Sequence, residues 1–144
     1  MIEIEYTDSF EEIEKITDRL LTEYDNENRV KYNFKKFAFI AKENSEHVGY
    51  IDGFSYYSEV TINNLIVRKE HRGRGIGKKL VNWTFNYFKN KNFNNLNLVT
   101  NEFQAPGFYK KCGFKLEFVR KNYDNPKLTK YFFIKYFDDW ILQI

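Results

Sequence analysis

The sequence predicts an α/β (α+β) domain built on one mixed β-sheet. Two observations carry this prediction. Segments of alternating apolar and polar residues, typical of strands, are interspersed with segments whose apolar residues recur every three to four positions, typical of helices. The predicted order is β, α, β, β, β, α, β, α, β, β, which places about seven strands in a sheet flanked by helices.

The first half of the chain supplies one helix and four of these strands. The stretch IEIEY, residues 2–6, alternates apolar with acidic residues and predicts a strand. Residues 7–24 predict a helix with Asp8 or Ser9 as its N-cap, and one face of it carries Phe10, Ile13, Ile16 and Leu20. Residues 34–57 predict two strands about a turn at residues 44–46, and EVTINNLIV, residues 59–67, predicts the next strand.

The second half alternates helices and strands. Residues 75–92 predict a helix with an apolar stripe, Leu80, Val81, Phe85 and Phe88. NNLNLVTN, residues 94–101, predicts a short strand, and residues 105–114 predict a short helix that ends before Gly113. The last two strands are expected on either side of the Asp-Asn-Pro sequence at residues 124–126.

The composition is typical of a small domain that folds without covalent cross-links. The chain has 144 residues, so we expect one domain over residues 1–144. The single cysteine, Cys112, excludes an intrachain disulfide and fits a reducing compartment. No apolar run reaches the length of a signal peptide core or a membrane span. We therefore expect a cytoplasmic protein that has no membrane partner.

The net charge argues against a nucleic-acid-binding site, and the spacing of the histidines and the cysteine argues against a metal site. The net charge of +3 is small, and acidic and basic residues alternate over much of the chain. Nucleic-acid-binding domains usually show a larger and more clustered excess, so no nucleic-acid partner is expected. His47 and His71 are isolated and only one cysteine is present, so no zinc spacing exists and no metal site is expected.

The stretch EHRGRGIGKKL, residues 70–80, places three glycines at a junction between a predicted strand and a predicted helix. One interpretation is a solvated tight turn. Another is a phosphate cradle, because glycines let an anion approach the backbone and a helix N-terminus offers unpaired N–H groups. The Walker spacing is not met, since only three residues separate Gly73 from Gly77 and Lys79 follows Lys78.

Two motifs together resemble the GNAT superfamily of acyl-CoA-dependent N-acyltransferases. RGRGIG, residues 72–77, matches the family's Arg/Gln-x-x-Gly-x-Gly/Ala motif. Further along, NEFQAPGFYKKCGF resembles the family's Ala-x-x-x-Tyr-x-x-x-Gly-Phe segment at Ala105, Tyr109, Gly113 and Phe114. The resemblance spans the chain and is strongest over residues 60–115. It implies the GNAT fold, a mixed central sheet with splayed central strands.

The resemblance implies a binding site for acetyl-CoA as cosubstrate. The coenzyme pyrophosphate is expected on backbone groups of the turn, and the residues concerned are Arg72, Gly73, Arg74, Gly75, Ile76, Gly77 and Lys78. The pantetheine arm is expected along a bulged strand segment, Leu65, Ile66 and Val67. The second substrate is expected to be an amine, either a small molecule or a peptide, that attacks the thioester directly in a ternary complex.

Tyr109 matches the family's general acid, which protonates or hydrogen-bonds the leaving sulfur. The general base is less well marked. Many members of the family carry a Glu on the strand before the glycine turn, but the matching position is Thr61. Glu59, two residues earlier and on the same face of the strand, is one candidate, and Glu102 is the other.

Three hypotheses follow from these motifs. The first is an acetyltransferase that acts on a primary amine. The second, motivated by Thr61, is a non-catalytic acyl-CoA-binding or regulatory module, and the third is a nucleic-acid binder that uses the basic turn. A homodimer formed through an edge strand near the C-terminus is also possible.

Overall fold

A computed structural model describes residues 1–138 of the chain, which divides into two compact units, Met1–Asn33 and Phe34–Ile144. The first unit contains helix α1, Phe10–Glu27. Ser9 occupies its N-cap, one of the two predicted positions, although the side chain makes no capping hydrogen bond. Glu11 and Glu12 place negative charge in the first turn, where the helix dipole favours it. That the whole chain forms a single domain stays a prediction.

The predicted N-terminal strand is wrong. Residues 1–9 belong to no helix or strand, and the sheet therefore has six strands where about seven are predicted. The alternation of Ile2, Ile4 and Tyr6 with acidic residues indicates only that one face of this segment is apolar. A strand also needs a neighbouring segment with which its backbone N–H and C=O groups hydrogen-bond, and periodicity carries no information about such a neighbour.

The second unit is a mixed sheet with the strand order β1-β2-β3-β4-β6-β5. Neighbouring strands are antiparallel except for β3 and β4, which are parallel. The strands are β1 Lys35–Glu43, β2 Glu46–Tyr56, β3 Glu59–Val67, β4 Asn95–Asn101, β5 Lys115–Arg120 and β6 Lys130–Tyr136. A helix follows each strand of this parallel pair along the chain: α2, Ile76–Phe88, follows β3, and α3, Gly107–Lys111, follows β4. The predicted mixed α/β architecture is thus confirmed.

The turn between β1 and β2 confirms the predicted hairpin. Asn44 and Ser45 both have left-handed backbones, with φ of 50° and 67°. Positive φ at both central residues is the conformation of a type I′ turn, whose twist matches that of antiparallel strands. Asn tolerates this conformation well, so the turn is set by local sequence.

One face of the sheet packs against α2. The helix buries Leu80, Val81 and Phe88 of its predicted stripe, while Phe85 is half-buried against the same core. The sheet contributes residues that alternate along the central strands: Ile51, Val60, Ile62, Leu96, Leu98 and Phe133. No helix in residues 1–138 has the length and hydrophobicity that a membrane span requires.

Candidate active site

The parallel strands β3 and β4 pair over only part of their length. Glu59–Ile62 lies beside Asn95–Leu98, and beyond the Ile62–Leu98 pair the two strands separate. The gap continues into a cleft of about 600 Å³. Its lining comes from β3, from the N-terminus of α2, from the end of β4 and from α3, and includes Asn63, Leu65, Ile66, Val67, Arg72, Gly77, Thr100, Ala105 and Tyr109. The edge of β3 that faces β4 is therefore open along this cleft.

A β-bulge in β3 lies where the strands begin to separate. Ile62 pairs with Gly53 of β2 and Asn64 pairs with Asp52, so Asn63 is the extra residue. The bulge thus lies two residues before Leu65–Val67, the segment for which it is predicted. Gly53 makes it possible, because a Cβ on Gly53 would lie 1.9 Å from the Thr61 carbonyl oxygen. The isolated glycine inside a strand pattern is a signal for such a bulge.

The glycine turn lies between β3 and α2 and leaves open space above its backbone. Gly73 and Gly75 have φ of 78° and 80°, in the left-handed region that side-chain-bearing residues rarely adopt. A Cβ added to either glycine would meet no atom within 4 Å. The glycines are therefore required by backbone conformation, and the space beside them is free for a ligand.

The N-terminus of α2 presents unpaired donors to this space. Gly75 is the N-cap, and the first backbone hydrogen bond of the helix runs from the Lys79 N–H to the Gly75 carbonyl at 3.0 Å. The N–H groups of Ile76, Gly77 and Lys78 therefore have no partner within the helix. Together with the helix dipole, they form a site for an anion.

The basic residues of the turn have different partners. Arg72 donates its Nε–H to the Val67 carbonyl at 3.1 Å, which ties the turn to the end of β3. Arg74 forms a bidentate ion pair with Glu43 of β1, with N···O distances of 3.2 and 2.5 Å. Its hydrogen bonds hold the pKa of the Glu43 carboxyl below the usual value. Since Glu43 neutralises Arg74, the positive potential at the turn comes from the backbone, Arg72 and the lysines.

Tyr109 reaches the cleft from α3. Its ring is 9% exposed and packs in the core near Phe114 and Phe133. Its hydroxyl has no hydrogen-bond partner among residues 1–138, and the side chain lines the cleft. Burial raises the pKa of Tyr109 to about 12, so the phenol stays protonated at neutral pH. A buried ring with an unpaired hydroxyl at a cleft is a proton donor available to a ligand.

Helix α3 is held in place by contacts with the glycine turn and with β6. A Cβ on Gly77 would lie 3.4 Å from the Phe108 ring, so this ring packs close beneath the start of α2. At the other end of α3, Gly113 has φ of 91°, as predicted for the residue after the helix. The Lys135 ammonium donates to the Cys112 carbonyl there at 3.1 Å. Cys112 itself is 5% exposed, as expected of a small core side chain.

The two candidate bases do not line the cleft. Glu59 lies at the start of β3, three residues before the last pair with β4, and accepts a hydrogen bond from Asn95 Nδ2 at 2.9 Å. Glu102 lies just after β4, and the Tyr131 hydroxyl hydrogen-bonds to it, which raises the pKa of Tyr131. Of the ten predicted coenzyme-binding residues, five line the cleft together with Tyr109: Leu65, Ile66, Val67, Arg72 and Gly77. Arg74 and Ile76 instead line a separate pocket beside Glu43, and Gly73, Gly75 and Lys78 line neither. Both carboxylates, Glu59 and Glu102, lie outside the cleft.

Two functional features are not foreseen from the sequence. Glu43 restrains Arg74 from 31 residues away, and no local pattern marks that pair. The other is Ala105, which has φ of 56° where the chain turns into α3 along the cleft wall. No cluster of three or more His, Cys, Asp or Glu side chains suited to a metal ion occurs within residues 1–138.

Comparison with known proteins decides the family. A family model described as an acetyltransferase (GNAT) domain matches residues 35–116, more than half of the chain. The chain belongs to the GNAT acetyltransferase family. The matched region runs from the start of β1 into β5 and therefore includes the glycine turn, the separated strands and Tyr109. No curated protein matches the chain.

Solved acetyltransferase structures share the fold. An acetyltransferase from Bacillus cereus ATCC 14579 is 28% identical, with a TM-score of 0.75 over 94% of this chain and 98% of its own. The ribosomal-protein-S18-alanine N-acetyltransferase from Escherichia coli is 17% identical, with a TM-score of 0.65 over 72% of this chain and 70% of its own. A GNAT acetyltransferase from Elizabethkingia anophelis, with acetyl-CoA bound, is 21% identical, with a TM-score of 0.63 over 82% of each chain. The last two show similarity of fold alone.

Proposed function

We propose that the protein is an N-acetyltransferase that moves an acetyl group from acetyl-CoA to a primary amine, by direct attack in a ternary complex. One observation carries the proposal. A single cleft joins an anion site at the N-terminus of α2 to an open strand edge and to the unpaired hydroxyl of Tyr109. These three features suit the three parts of an acyl-coenzyme A: a diphosphate, an extended amide-bearing arm and a thioester.

The glycine turn fits the diphosphate. Unpaired N–H groups at the start of α2 point into space that a Cβ on Gly73 or Gly75 would enter without meeting any protein atom. Backbone donors at a helix N-terminus bind phosphate oxygens without help from side chains. The acetyl-CoA-bound relative from Elizabethkingia anophelis, which shares the fold, supports the same choice of ligand.

The open edge of β3 fits the arm of the coenzyme. From Leu65 to Val67 the strand pairs with β2 on one side only, and its other side lines the cleft. An extended ligand with amide groups would hydrogen-bond to this edge as an added strand does. The bulge at Asn63 bends β3, so the end of the coenzyme arm would point toward the gap beside Leu98.

Tyr109 acts on the leaving sulfur in this proposal. The amine nitrogen forms a bond to the acetyl carbon, the carbon–sulfur bond breaks, and the electron pair leaves on sulfur as a thiolate. The Tyr109 hydroxyl donates a hydrogen bond to that sulfur. Because the pKa of Tyr109 is about 12 while that of a thiol is about 8.5, complete proton transfer to the thiolate is uphill, and the main effect is stabilisation of charge.

The proton of the attacking amine goes to water. An alkylammonium has a pKa near 10.4, so freeing its lone pair at pH 7 costs about 4–5 kcal/mol. Neither Glu59 nor Glu102 lines the cleft, so the proposal makes water the acceptor of this proton. The rate is then expected to rise with pH as the neutral amine becomes abundant, without a separate step near the pKa of a carboxyl group.

Two measurements on the full-length protein test the proposal. Calorimetric titration with acetyl-CoA and coenzyme A should show saturable binding. Thiol release should then be followed with butylamine, glycinamide, lysine and spermidine as acceptors. Absence of coenzyme binding contradicts the proposal, whereas binding without turnover for any amine supports the alternative, a non-catalytic acyl-CoA-binding module.

A further inference from the structure

Four side chains on β3 and β4 form a continuous chain of hydrogen bonds with a single direction. Thr61 Oγ1 donates to Asn97 Oδ1 at 2.9 Å, and Asn97 Nδ2 donates to Asn95 Oδ1 at 2.8 Å. Asn95 Nδ2 donates in turn to Glu59 Oε1 at 2.9 Å and to Asn94 Oδ1 at 2.8 Å. The three hydrogen bonds that join Thr61, Asn97, Asn95 and Glu59 are all donated in the direction of the Glu59 carboxylate, and the bond to Asn94 is a side branch.

The parallel register explains why these groups meet. Glu59 pairs with Asn95 and Thr61 pairs with Asn97, so their side chains share the sheet face opposite to the buried Val60 and Leu96. Asn95 is 2% exposed, and a buried amide that is only partly hydrogen-bonded would be costly. The series is therefore a defined network, not a chance contact on a solvated surface.

The direction of the network determines what Thr61 can do. A threonine hydroxyl carries one proton and two lone pairs, and it normally rotates to donate or to accept. Here the proton is committed to Asn97, so the oxygen can only accept from a third group. The chain of hydrogen bonds ending on a carboxylate also polarises the hydroxyl and increases the negative charge on its oxygen.

Thr61 lies next to the point where the strands separate. The Thr61–Asn97 pair comes immediately before Ile62–Leu98, which is the last pair of the ladder. The next residue of β3, Asn63, lines the cleft. Thr61 is half-buried and does not itself line the cleft, but Ile62, the residue next to it, does. Its polarised acceptor oxygen thus lies beside the end of the gap through which a nucleophile would approach the thioester.

We infer that Thr61 holds an N–H of the acceptor amine, and that Asn97, Asn95 and Glu59 position it. The inference rests on the proposed transfer to a primary amine. A neutral oxygen orients an N–H bond, whereas a carboxylate in direct contact would favour the unreactive ammonium form. Glu59 lies two residues before Thr61 on β3, so its carboxylate is about 6–7 Å from the amine that Thr61 would hold. The network nevertheless fixes the orientation of Thr61 Oγ1.

Glu59 in this scheme is a positioning residue rather than the base. An amide side chain does not pass a proton along without losing its own stable tautomer, so a proton cannot travel from Thr61 to Glu59 through Asn97 and Asn95. The carboxylate instead fixes the orientation of both amides. This role differs from that of a general base in its effect on the pH profile.

Thr61→Val, Thr61→Ser and Glu59→Gln, compared with the unchanged protein, test the inference. Thr61→Val removes the acceptor oxygen and should raise KM for the best amine of the panel about tenfold, with little change in the Kd of acetyl-CoA. Thr61→Ser retains the oxygen and should stay within about threefold of the unchanged protein. Glu59→Gln retains an acceptor for Asn95, so the shape of the pH profile of kcat/KM should be preserved, with a loss of no more than about fivefold.

Several results would overturn this role for Thr61. An unchanged KM for the amine in Thr61→Val would show that the side chain only fills space. An equal rise in KM in Thr61→Ser and Thr61→Val would show the same. A loss of more than about 100-fold in Glu59→Gln together with a changed pH profile would make Glu59 the base. Melting temperatures of the three variants separate these effects from loss of folding.

Failure of the proposed function is distinguishable from failure of this inference. If the protein binds acetyl-CoA but acetylates no amine, transfer is ruled out. Calorimetric titration of the coenzyme-loaded protein with butylamine and glycinamide then still decides the role of Thr61. Weaker binding to Thr61→Val than to Thr61→Ser supports that role, and equal or absent binding contradicts it.

Discussion

The backbone of Gly53 in β2 lies so close to Thr61 in β3 that a Cβ on the glycine would be 1.9 Å from the threonine carbonyl oxygen. This contact accompanies the bulge at Asn63, after which β3 and β4 separate. Gly53 therefore supports the opening of the cleft from the neighbouring strand, although it does not line the cleft itself.

Replacement of Gly53 by alanine should strongly destabilise the fold. The backbone of β3 must move for a methyl group to fit, and we expect a loss of at least about 3 kcal/mol in the free energy of unfolding. Denaturant titration measures the loss. Gly107→Ala is the matched control, because a Cβ there would meet nothing within 4 Å and the φ of Gly107 is not positive. Similar stability of the two variants would contradict this account of the bulge.

Gly75→Ala should separate stability from ligand binding. The left-handed backbone at the N-cap of α2 makes alanine unfavourable by about 1–2 kcal/mol, but the open space prevents a steric clash within the protein. The added methyl group would occupy the space in which we propose a phosphate of the coenzyme binds, so we expect the Kd of coenzyme A to rise at least about tenfold. Calorimetry measures the Kd, and Gly107→Ala again serves as the control. An unchanged affinity would place the diphosphate elsewhere.

Tyr109→Phe should lower kcat by about 100-fold and leave the Kd of acetyl-CoA almost unchanged, because it removes only the hydroxyl that we propose contacts the sulfur. Tyr131→Phe is the control: it removes a hydroxyl that is bonded to Glu102, outside the cleft. With a pKa of about 12, Tyr109 should remain protonated through pH 10 and cause no fall in rate there. Steady-state kinetics from pH 6 to 10 check both points, and equal effects of the two variants would refute a role for Tyr109 at the sulfur.

The Glu43–Arg74 pair should make stability dependent on pH in the acid range. Hydrogen bonds from Arg74 lower the pKa of the Glu43 carboxyl from its usual 4.5, so the pair contributes fully above that pH. The contribution is lost as the pH falls through the lowered pKa of the folded state. Glu43→Gln should therefore melt at a lower temperature than the unchanged protein at pH 7, and the difference should shrink below pH 4. A difference that stays constant from pH 7 to 3 would exclude the ion pair as its cause.

The elements predicted correctly are those whose signals are local. The hairpin turn at Asn44 and Ser45, the strand at residues 59–67 and the end of α3 before Gly113 depend on conformational preferences of a few adjacent residues. The N-terminal strand failed because pairing depends on a partner that alternation does not identify.

The same distinction applies to the site. The glycine turn and Tyr109 belong to short motifs, and the structure brings Arg72 and Gly77 of the turn to the same cleft as Tyr109. The position of the bulge and the restraint on Arg74 by Glu43 depend on contacts between separate strands. The network from Thr61 to Glu59 requires the parallel register of β3 and β4, which is a tertiary property that no window of sequence contains.

The open edge of β3 is expected to make the protein prone to aggregation when no coenzyme is bound. A strand edge with free N–H and C=O groups invites pairing with another chain, and the half-exposed side chains of Leu65 and Val67 accompany it. A coenzyme bound as proposed would cover that edge, and above its Kd it would raise the melting temperature with the logarithm of its concentration. A high concentration of acyl-coenzyme A in the cell would thereby also protect this protein from aggregation, because the bound coenzyme would occupy the place of a neighbouring strand along β3.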